Sequence, residues 1–318
     1  MNRDTTAPWL SVVIPSYCGE RWIEIALQSL VCAASHGIEV LLVDGSPTPA
    51  TLDIAERFMG SLRLRVFKRV DLKSWQAKTN FGVEMAESNH VCWLGVDDVW
   101  LPGRASAARA WIEADPQAAL HLASSLIIDK HGRKLGVWRC PLLAEAALPS
   151  NLVIERLLVQ NFIAAPAPIF RKDAWLGRGG VDEELWYTAD WDVWLKLAAL
   201  GPVRYHDLPT VGFRIHGGAL TVTGSRQATD FADQMNIVLS RHLAILDRGS
   251  RDVERAARVS VVVNSALASA AAGDRRKLLR AGLQVLRLGP FGIHRYLRDS
   301  RILDRMVPRI RARLAGVL

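Results

Sequence analysis

Apolar runs of strand length alternate with segments of helical period through residues 10–96, and this alternation limits the fold more than any other feature of the chain. "LSVVIPSY" (10–17) reads as a buried strand broken at Pro15, and "ERWIEIALQSLVCAA" (20–34) then sets Trp22, Ile23, Ala26, Leu27 and Leu30 on one helical face. "IEVLLVDGSPTP" (38–49) is a second apolar strand closing on Asp44 and a Gly-Ser-Pro turn. "ATLDIAERFMG" is helical, "LRLRVFKRV" alternates like a half-exposed strand, and "SWQAKTNFGVEMAE" opens another helix before the strand at 91–96. Such a succession predicts a mostly parallel sheet with helices on both faces. In that architecture ligands bind at the carboxyl ends of the strands, where Tyr17, Asp44 and Asp97 fall.

The third of these strand ends is the most unusual. In "HVCWLGVDDVWLPG" (90–103) an apolar run stops on two adjacent carboxylates, Asp97 and Asp98. Neighbouring acids repel and lose hydration, so they need hydrogen bonds, a counter-charge or a cation. The plainer reading is a helix start, with one of the pair capping the segment from Leu101 to Glu113.

Composition is that of a globular protein: 318 residues, 50% hydrophobic and 23% charged, ample for one large core with an appendage. "MNRDTTAPWL" has no apolar h-region, so no signal peptide is expected. The longest weakly polar stretch, Val259 to Ala272, is interrupted by Ser260, Asn264, Ser265 and Ser269, so no membrane span is expected. Cys18, Cys32, Cys92 and Cys140 lack CxxC spacing, which points to a reduced compartment and away from a zinc site.

Charge is unevenly spread. Residues 251–318 hold 15 Lys or Arg against 5 Asp or Glu, whereas the whole chain nets only +8. The basic character is therefore C-terminal. No nucleic-acid motif accompanies it, and no nucleic-acid partner is expected.

Beyond residue 120, "HLASSLIIDKHGRKLGVW" reads as a hairpin around His131-Gly132, and "APAPIFRKDAW" as a strand followed by a turn. "ELWYTADWDVWLKLAALG" begins on acids and continues as a helix with Trp191, Trp194, Leu195 and Ala198 inward. "VRYHDLPTVGFRIHGG" reads as a strand pair ending at His216.

Taken in order, "SVVIPSYCGE", "EVLLVDGSP", "WQAKTNFGV", "CWLGVDDVWLPG", "PIFRKDAW…GGVDEELWYTADWDVWLKLA" and "FRIHGGALT" resemble the inverting GT-A glycosyltransferases of family 2, over about Trp9 to Thr223. The resemblance implies a GT-A fold: a mostly parallel central sheet with helices on both faces, plus a C-terminal helical extension. It implies a catalytic domain at 1–224, with a nucleotide-binding half (1–103) and an acceptor half (104–224), followed by a basic helical region at 225–318. Pro15, Tyr17 and Glu20 match the family's Pro-x-Tyr-Asn-x-Glu, with Cys18 in place of the Asn. Asp44 matches the acid that accepts the imide N–H of the base, usually uracil; its plainer role is an Asx turn. Lys78 and Asn80 match Ala-Arg-Asn, with Lys replacing Arg. Together with Asp97 these residues are the expected nucleotide site.

The family's Leu-Asp-x-Asp-Asp is Leu94-Gly95-Val96-Asp97-Asp98 in this chain. Asp97 thus takes the position of the metal-binding acid, and Gly95 replaces the first acid. His216 in "FRIHGG" matches the family's Arg-x-His, as a ligand of metal or diphosphate or as a packed side chain, and Arg214 as a diphosphate contact or a loop support. The implied cofactor is a divalent cation, Mg²⁺ or Mn²⁺. Asp190 matches the general base of Glu-Asp-Tyr-Asp-Leu-Trp, Asp192 reads as structural, and Ala189 replaces the usual Glu.

The expected activity is metal-dependent inverting transfer from a nucleotide-sugar donor, UDP-linked by preference, to a saccharide or polyprenyl-linked acceptor in surface-polysaccharide synthesis. A catalytically silent nucleotide-sugar- or membrane-binding protein is the alternative that Gly95 and Ala189 suggest. An oxidoreductase is disfavoured, because no G-x-G-x-x-G follows the first strand. "GGALTVTGS" reads as a mobile segment able to close over the donor. The tail "IHRYLRDSRILDRMVPRIRARLAGVL" sets Ile293, Leu297, Leu303, Met306, Ile310, Leu314 and Val317 along one stripe, with Pro308 expected to kink or divide it. That helix either lies on an anionic membrane or buries its stripe against the catalytic domain. The expected location is cytoplasmic, peripheral on the cytoplasmic face of the inner membrane.

Overall fold

The computed structural model describes residues 7–33, 36–219, 228–246, 250–271, 273–314 and 316. The alternating N-terminal pattern folds as β1 (Leu10–Ser16), α1 (Ile23–Ala33), β2 (Ile38–Asp44), α2 (Ala50–Glu56), β3 (Arg63–Lys68), α3 (Trp75–Met85) and β4 (His90–Trp93). These strands pair in the order β3-β2-β1-β4, all parallel. Every residue of β2 is buried, as expected of a strand covered on both faces. The pleat divides β1 between two cores. Val12 and Ile14 pack with α1, α2 and α4 (Arg104–Ala114), whereas Val13 faces the core shared by α3, α5 (Ser150–Val159) and α7 (Ala189–Ala198).

The second half of the sheet is mixed. β6 (Leu120–Ile128) and β10 (Val203–Arg214) run parallel, and β9 (Ile169–Arg171) joins them to β4 by antiparallel pairing on both sides. β5 (Val99–Trp100) pairs β10 at the edge, and β7 (Lys134–Trp138) closes the expected hairpin with β6. β8 (Ala147–Leu148) also pairs β10. Two local expectations change. After β9 the chain forms the short helix α6 (Lys172–Gly177) rather than a turn. Residues 203–214 form one long strand, not a pair, with a register shift between His206 and Val211. That bulge carries Pro209, which has no N–H to give to a ladder.

The tryptophans expected on the inner face of α7 build the centre of the larger core. Trp93 of β4 stacks on Trp194 with ring centroids 4.8 Å apart, and Trp175 meets Trp93 edge-on.

Beyond β10 the described chain is helical: α8 (Ala228–His242), α9 (Arg251–Ala271), α10 (Arg276–Leu286), α11 (Gly289–Ser300) and α12 (Ile302–Leu314). α9 packs on α5 and extends the larger core through Ala256 and Ala257. The last two helices part at Arg301, whose φ of 45° is left-handed, and not at Pro308. Pro308 stays inside α12 because its ring lies against Gly136 of β7, where a side chain would have come within 2.6 Å of it. Of the expected stripe, Ile293 and Met306 are half-buried, Leu297, Leu303 and Ile310 are exposed, and Val317 lies outside the described residues. The loop expected to close over the donor also lies largely outside them, at 220–227. Among the described residues no helix is long and apolar enough to cross a membrane.

Candidate active site

The ends of β1 and β2 bring Tyr17, Asp44 and Lys78 together. Asp44 is fully buried, and its carboxylate accepts from the Ser46 hydroxyl at 2.6 Å and the Ser46 N–H at 3.3 Å. Ser46 Oγ in turn accepts from the Cys18 N–H at 2.7 Å, tying the two strand ends to each other. The Asx turn is therefore present, and a carboxylate retains further lone-pair sites after it. Lys78 lies against Gly45, where a Cβ would come within 2.5 Å of its Cε. Its ammonium donates to the carbonyls of Lys73 (3.1 Å) and Ser74 (3.2 Å) and sits 5.7 Å from the centre of the exposed Tyr17 ring. Burial lowers the Lys78 pKa, against the opposing pull of Asp44. Pro15 pairs with Val43 in the ladder, and Glu20 is exposed, accepting a long 3.4 Å bond from Thr51. Asn80 points elsewhere. Its carboxamide donates to the Val181 carbonyl (2.8 Å) and accepts from the Val181 N–H (3.0 Å), stapling α3 to the loop before α7.

The paired acids that end the β4 segment separate. Asp98 is buried, accepts the Arg214 N–H at 2.8 Å, and has its pKa raised by burial and by the charge of Asp97. Asp97 stays half-buried, with its Oδ2 2.9 Å from His216 Nε2. His216 Nδ1 accepts the Gly218 N–H at 3.2 Å, so in this arrangement the ring proton lies on Nε2 and is donated to Asp97. Ligation of a cation by Nε2 would require that proton to move to Nδ1 and the Gly218 contact to open. Arg214 braces the same loop through the carbonyls of Asp97 (2.6 Å) and Asp129 (2.8 Å), so of its two expected roles the support is the one seen. Trp22 roofs the arrangement, its ring centre 4.8 Å from the Arg214 guanidinium and 5.1 Å from that of His216.

Gly95 is required by this packing. A Cβ there would lie 2.7 Å from Asp98 Oδ2 and 2.9 Å from Asp97 Oδ1, so a third acid would press on the other two. No cluster of three or more His, Cys, Asp or Glu side chains suited to a metal occurs among the described residues. Asp97 and His216 nevertheless present an oxygen and a nitrogen within hydrogen-bond distance of each other at a partly open position. Two protein donors suffice for a hard cation whose remaining ligands are phosphate oxygens and water.

Asp190 occupies the first turn of α7, where an acid also suits the helix dipole. Its Oδ1 accepts the Trp191 N–H at 2.8 Å and its Oδ2 the Asn161 amide at 2.9 Å. Burial raises its pKa to about 6 against those two bonds. Asp192 is fully buried and engaged by His242 (2.8 Å) and Lys196 (2.7 Å), joining α7 to α8. Asn161, Ser46 and the roofing part of Trp22 had no signal in the sequence, since each acts through a contact between distant segments.

Residues 11–144 match the family model described as glycosyl transferase family 2. An uncharacterized glycosyltransferase of Rickettsia felis is 22% identical over 245 residues, which is 74% of this chain and 38% of that protein. A Rickettsia typhi glycosyltransferase is 22% identical over 73% of this chain and 71% of its own length. Among solved structures, S. aureus TarS in complex with UDP-GlcNAc superposes with a TM-score of 0.63 at 18% identity, covering 91% of this chain and 79% of that one. A mannosyltransferase from Pyrobaculum calidifontis, in complex with GDP-Man and Mn²⁺, gives a TM-score of 0.55 at 16% identity, over 96% and 87% of the two chains. Through residues 11–144 the chain is similar to glycosyl transferase family 2, and its fold is GT-A.

Proposed function

We propose that this protein transfers a sugar from a nucleotide diphosphate donor, UDP-linked by preference, to a hydroxyl of a saccharide or lipid-linked acceptor, with inversion. The observation that carries this reading is Asp190: a carboxylate held by Asn161 and Trp191, with a pKa raised by burial to about 6, suited to accept a proton near neutral pH. In this reading Asp190 takes the acceptor's proton as the oxygen attacks the anomeric carbon, and the bond to the diphosphate breaks on the opposite face. Asp44 accepts the imide N–H of the base, beside Tyr17 and Lys78. Asp97 and His216 hold the divalent cation. When bound, that cation would neutralise charge on the departing diphosphate. Donors of this kind are carried by the TarS and mannosyltransferase structures, the latter with Mn²⁺. Residues 1–224 form the catalytic unit in this proposal and 225–318 a helical appendage, consistent with β10 ending at Arg214 and only helices following among the described residues. The silent-protein alternative is disfavoured, because Asp44, Asp97 and Asp190 are all present in ordered surroundings.

A thermal-shift series with nucleotide sugars, with and without Mn²⁺, tests the donor site. UDP-sugars should raise Tm in the wild type, and Asp44→Ala should abolish that rise. Asp97→Ala should remove its dependence on the cation. Equal shifts in all three proteins would overturn the assignment.

The proposed setting is the cytoplasmic face of a membrane, in surface-polysaccharide synthesis. The helix placed to touch lipid is α10 rather than the expected tail, because α12 is seated on β7 through Pro308 and Ala312. On α10, Leu279 is 75% exposed and Leu286 67%, and Phe291 just beyond is 91% exposed. Arg276, Arg280 and Arg287 run along the adjoining flank, all exposed. An apolar stripe edged by cations suits the interface of an anionic bilayer. The protein should co-sediment with phosphatidylglycerol vesicles and be released by salt, and Leu279→Glu/Leu286→Glu should stay in the supernatant. Undiminished sedimentation of that variant would remove α10 from the proposal.

A further inference from the structure

The last helix returns to the catalytic unit. Ala312 of α12 packs in a small core with Trp138 of β7, Ala164 of the loop after α5, and Ile215 beside His216. One helical turn apart on α12 stand Arg305 and Arg309, and neither forms an ion pair with a carboxylate among the described residues. Arg305 Nη2 donates to Asn264 Oδ1 at 3.2 Å, and its Nε is buried without an acceptor. Arg309 donates to the Arg305 carbonyl at 3.0 Å and lies 5.9 Å from the centre of the Trp138 ring.

A polar chain leads from these arginines to Asp190. Asn264 donates to Gln160 Oε1 at 2.6 Å, and Asn161, the next residue, donates to Asp190 Oδ2 at 2.9 Å. Tyr187 stands between them. Burial raises its pKa, the charges of Arg305 and Arg309 oppose that rise, and the charge of Asp190 adds to it. Burial lowers the Arg305 pKa to about 10, and the charge of Arg309 acts in the same direction. Two like charges, both with pKa values lowered by burial, are thus linked to the base through Asn264, Gln160 and Asn161, and no carboxylate among the described residues pairs with either.

From this arrangement we infer that Arg305 and Arg309 form an anion subsite on the acceptor side of Asp190, which selects acceptors bearing a phosphate or carboxylate near the hydroxyl to be glycosylated. Guanidinium forks match both groups with paired hydrogen bonds. A neutral saccharide would leave the two charges unbalanced. The inference rests on the assignment of Asp190 as the base, and it gives the C-terminal helix a part in acceptor choice.

Titration calorimetry with UDP saturating the donor site separates the two ligand chemistries, using inorganic phosphate in one arm and glucuronate in the other. Wild type should bind at least one of them. Arg305→Gln/Arg309→Gln should weaken that binding about tenfold or more, with UDP affinity unchanged, and Arg309→Lys should fall between because it keeps charge and loses the fork. Should Arg305→Gln unfold the protein, the exposed Arg309→Gln alone carries the comparison. Binding of neither ion by wild type, or equal binding by wild type and variant, would overturn the subsite. Failure of UDP to bind would instead count against the donor reading, and the ion titrations repeated without it would still decide the subsite.

Discussion

Asp190→Asn should lower turnover about 10²–10⁴-fold while leaving nucleotide-sugar affinity and folding intact, because a general base typically contributes that much. Asn preserves the shape of the side chain and one acceptor oxygen for the Trp191 N–H, so the loss is one of basicity. In the wild type, activity should fall as pH drops below about 6, where Asp190 becomes protonated. Stability should move the other way. The folded-state pKa of Asp190 is raised, so the stability that its protonated form contributes is complete below the ordinary Asp value of about 3.9 and lost as pH climbs through the folded value. At pH 8 the Asn variant, free of a buried charge, should therefore melt no lower than wild type. A slow variant with an undiminished Tm is the signature of a catalytic carboxylate. Near-full transfer activity in Asp190→Asn, or a product with the anomeric configuration of the donor, would sink the mechanism.

Two residues further on, the same substitution strategy should give the opposite result. Asp192 is buried among His242, Lys196 and, at 3.6 Å, Arg241. Removing one partner of a buried charge network leaves the others unbalanced, at a cost of about 3–5 kcal/mol. Asp192→Ala should shift the urea midpoint by a corresponding amount and loosen α8 from α7, and Asp192→Asn should do so less. Burial pushes the Asp192 pKa up, but hydrogen bonds from His242 and Lys196 carry it below its ordinary value. Its contribution is thus present above the unfolded-state pKa of about 3.9 and fades as pH falls through the depressed folded value. The difference in midpoint between wild type and Asp192→Ala should narrow in acid. An unchanged midpoint at pH 7 would show that the network contributes nothing.

These two acids show where sequence reading stops. "ADWDVW" distinguishes them only by position, and both fall in the first turn of one helix. What separates their chemistry is supplied from elsewhere. Asn161, 29 residues upstream, holds Asp190 with a neutral amide, and His242, 50 residues downstream, holds Asp192 with a ring that can carry charge. Burial raises both pKa values; the partners of Asp192 reverse that sign, those of Asp190 do not, and no local pattern encodes the difference.

The sequence by itself determined the parallel half of the sheet, because continuous apolar runs and helical periodicity are local properties fixed by the need to cover both faces. It also placed Tyr17 and Asp44 at strand ends, whereas Asp97 lies in the turn between β4 and β5. Only the tertiary structure decided what those ends do. Asp97 and Asp98, alike in sequence, divide because β10 places the Arg214 N–H against one and His216 against the other. Gly95, a departure from the family pattern in sequence, becomes a packing requirement once both carboxylates close over it. Asn80, expected at the nucleotide, is held by Val181 across 101 residues. Pro308, expected to end a helix, is kept within one by Gly136 of a distant strand. In each case the deciding force is a hydrogen bond, charge or contact between segments far apart in the chain, which periodicity cannot register because it sees only neighbours.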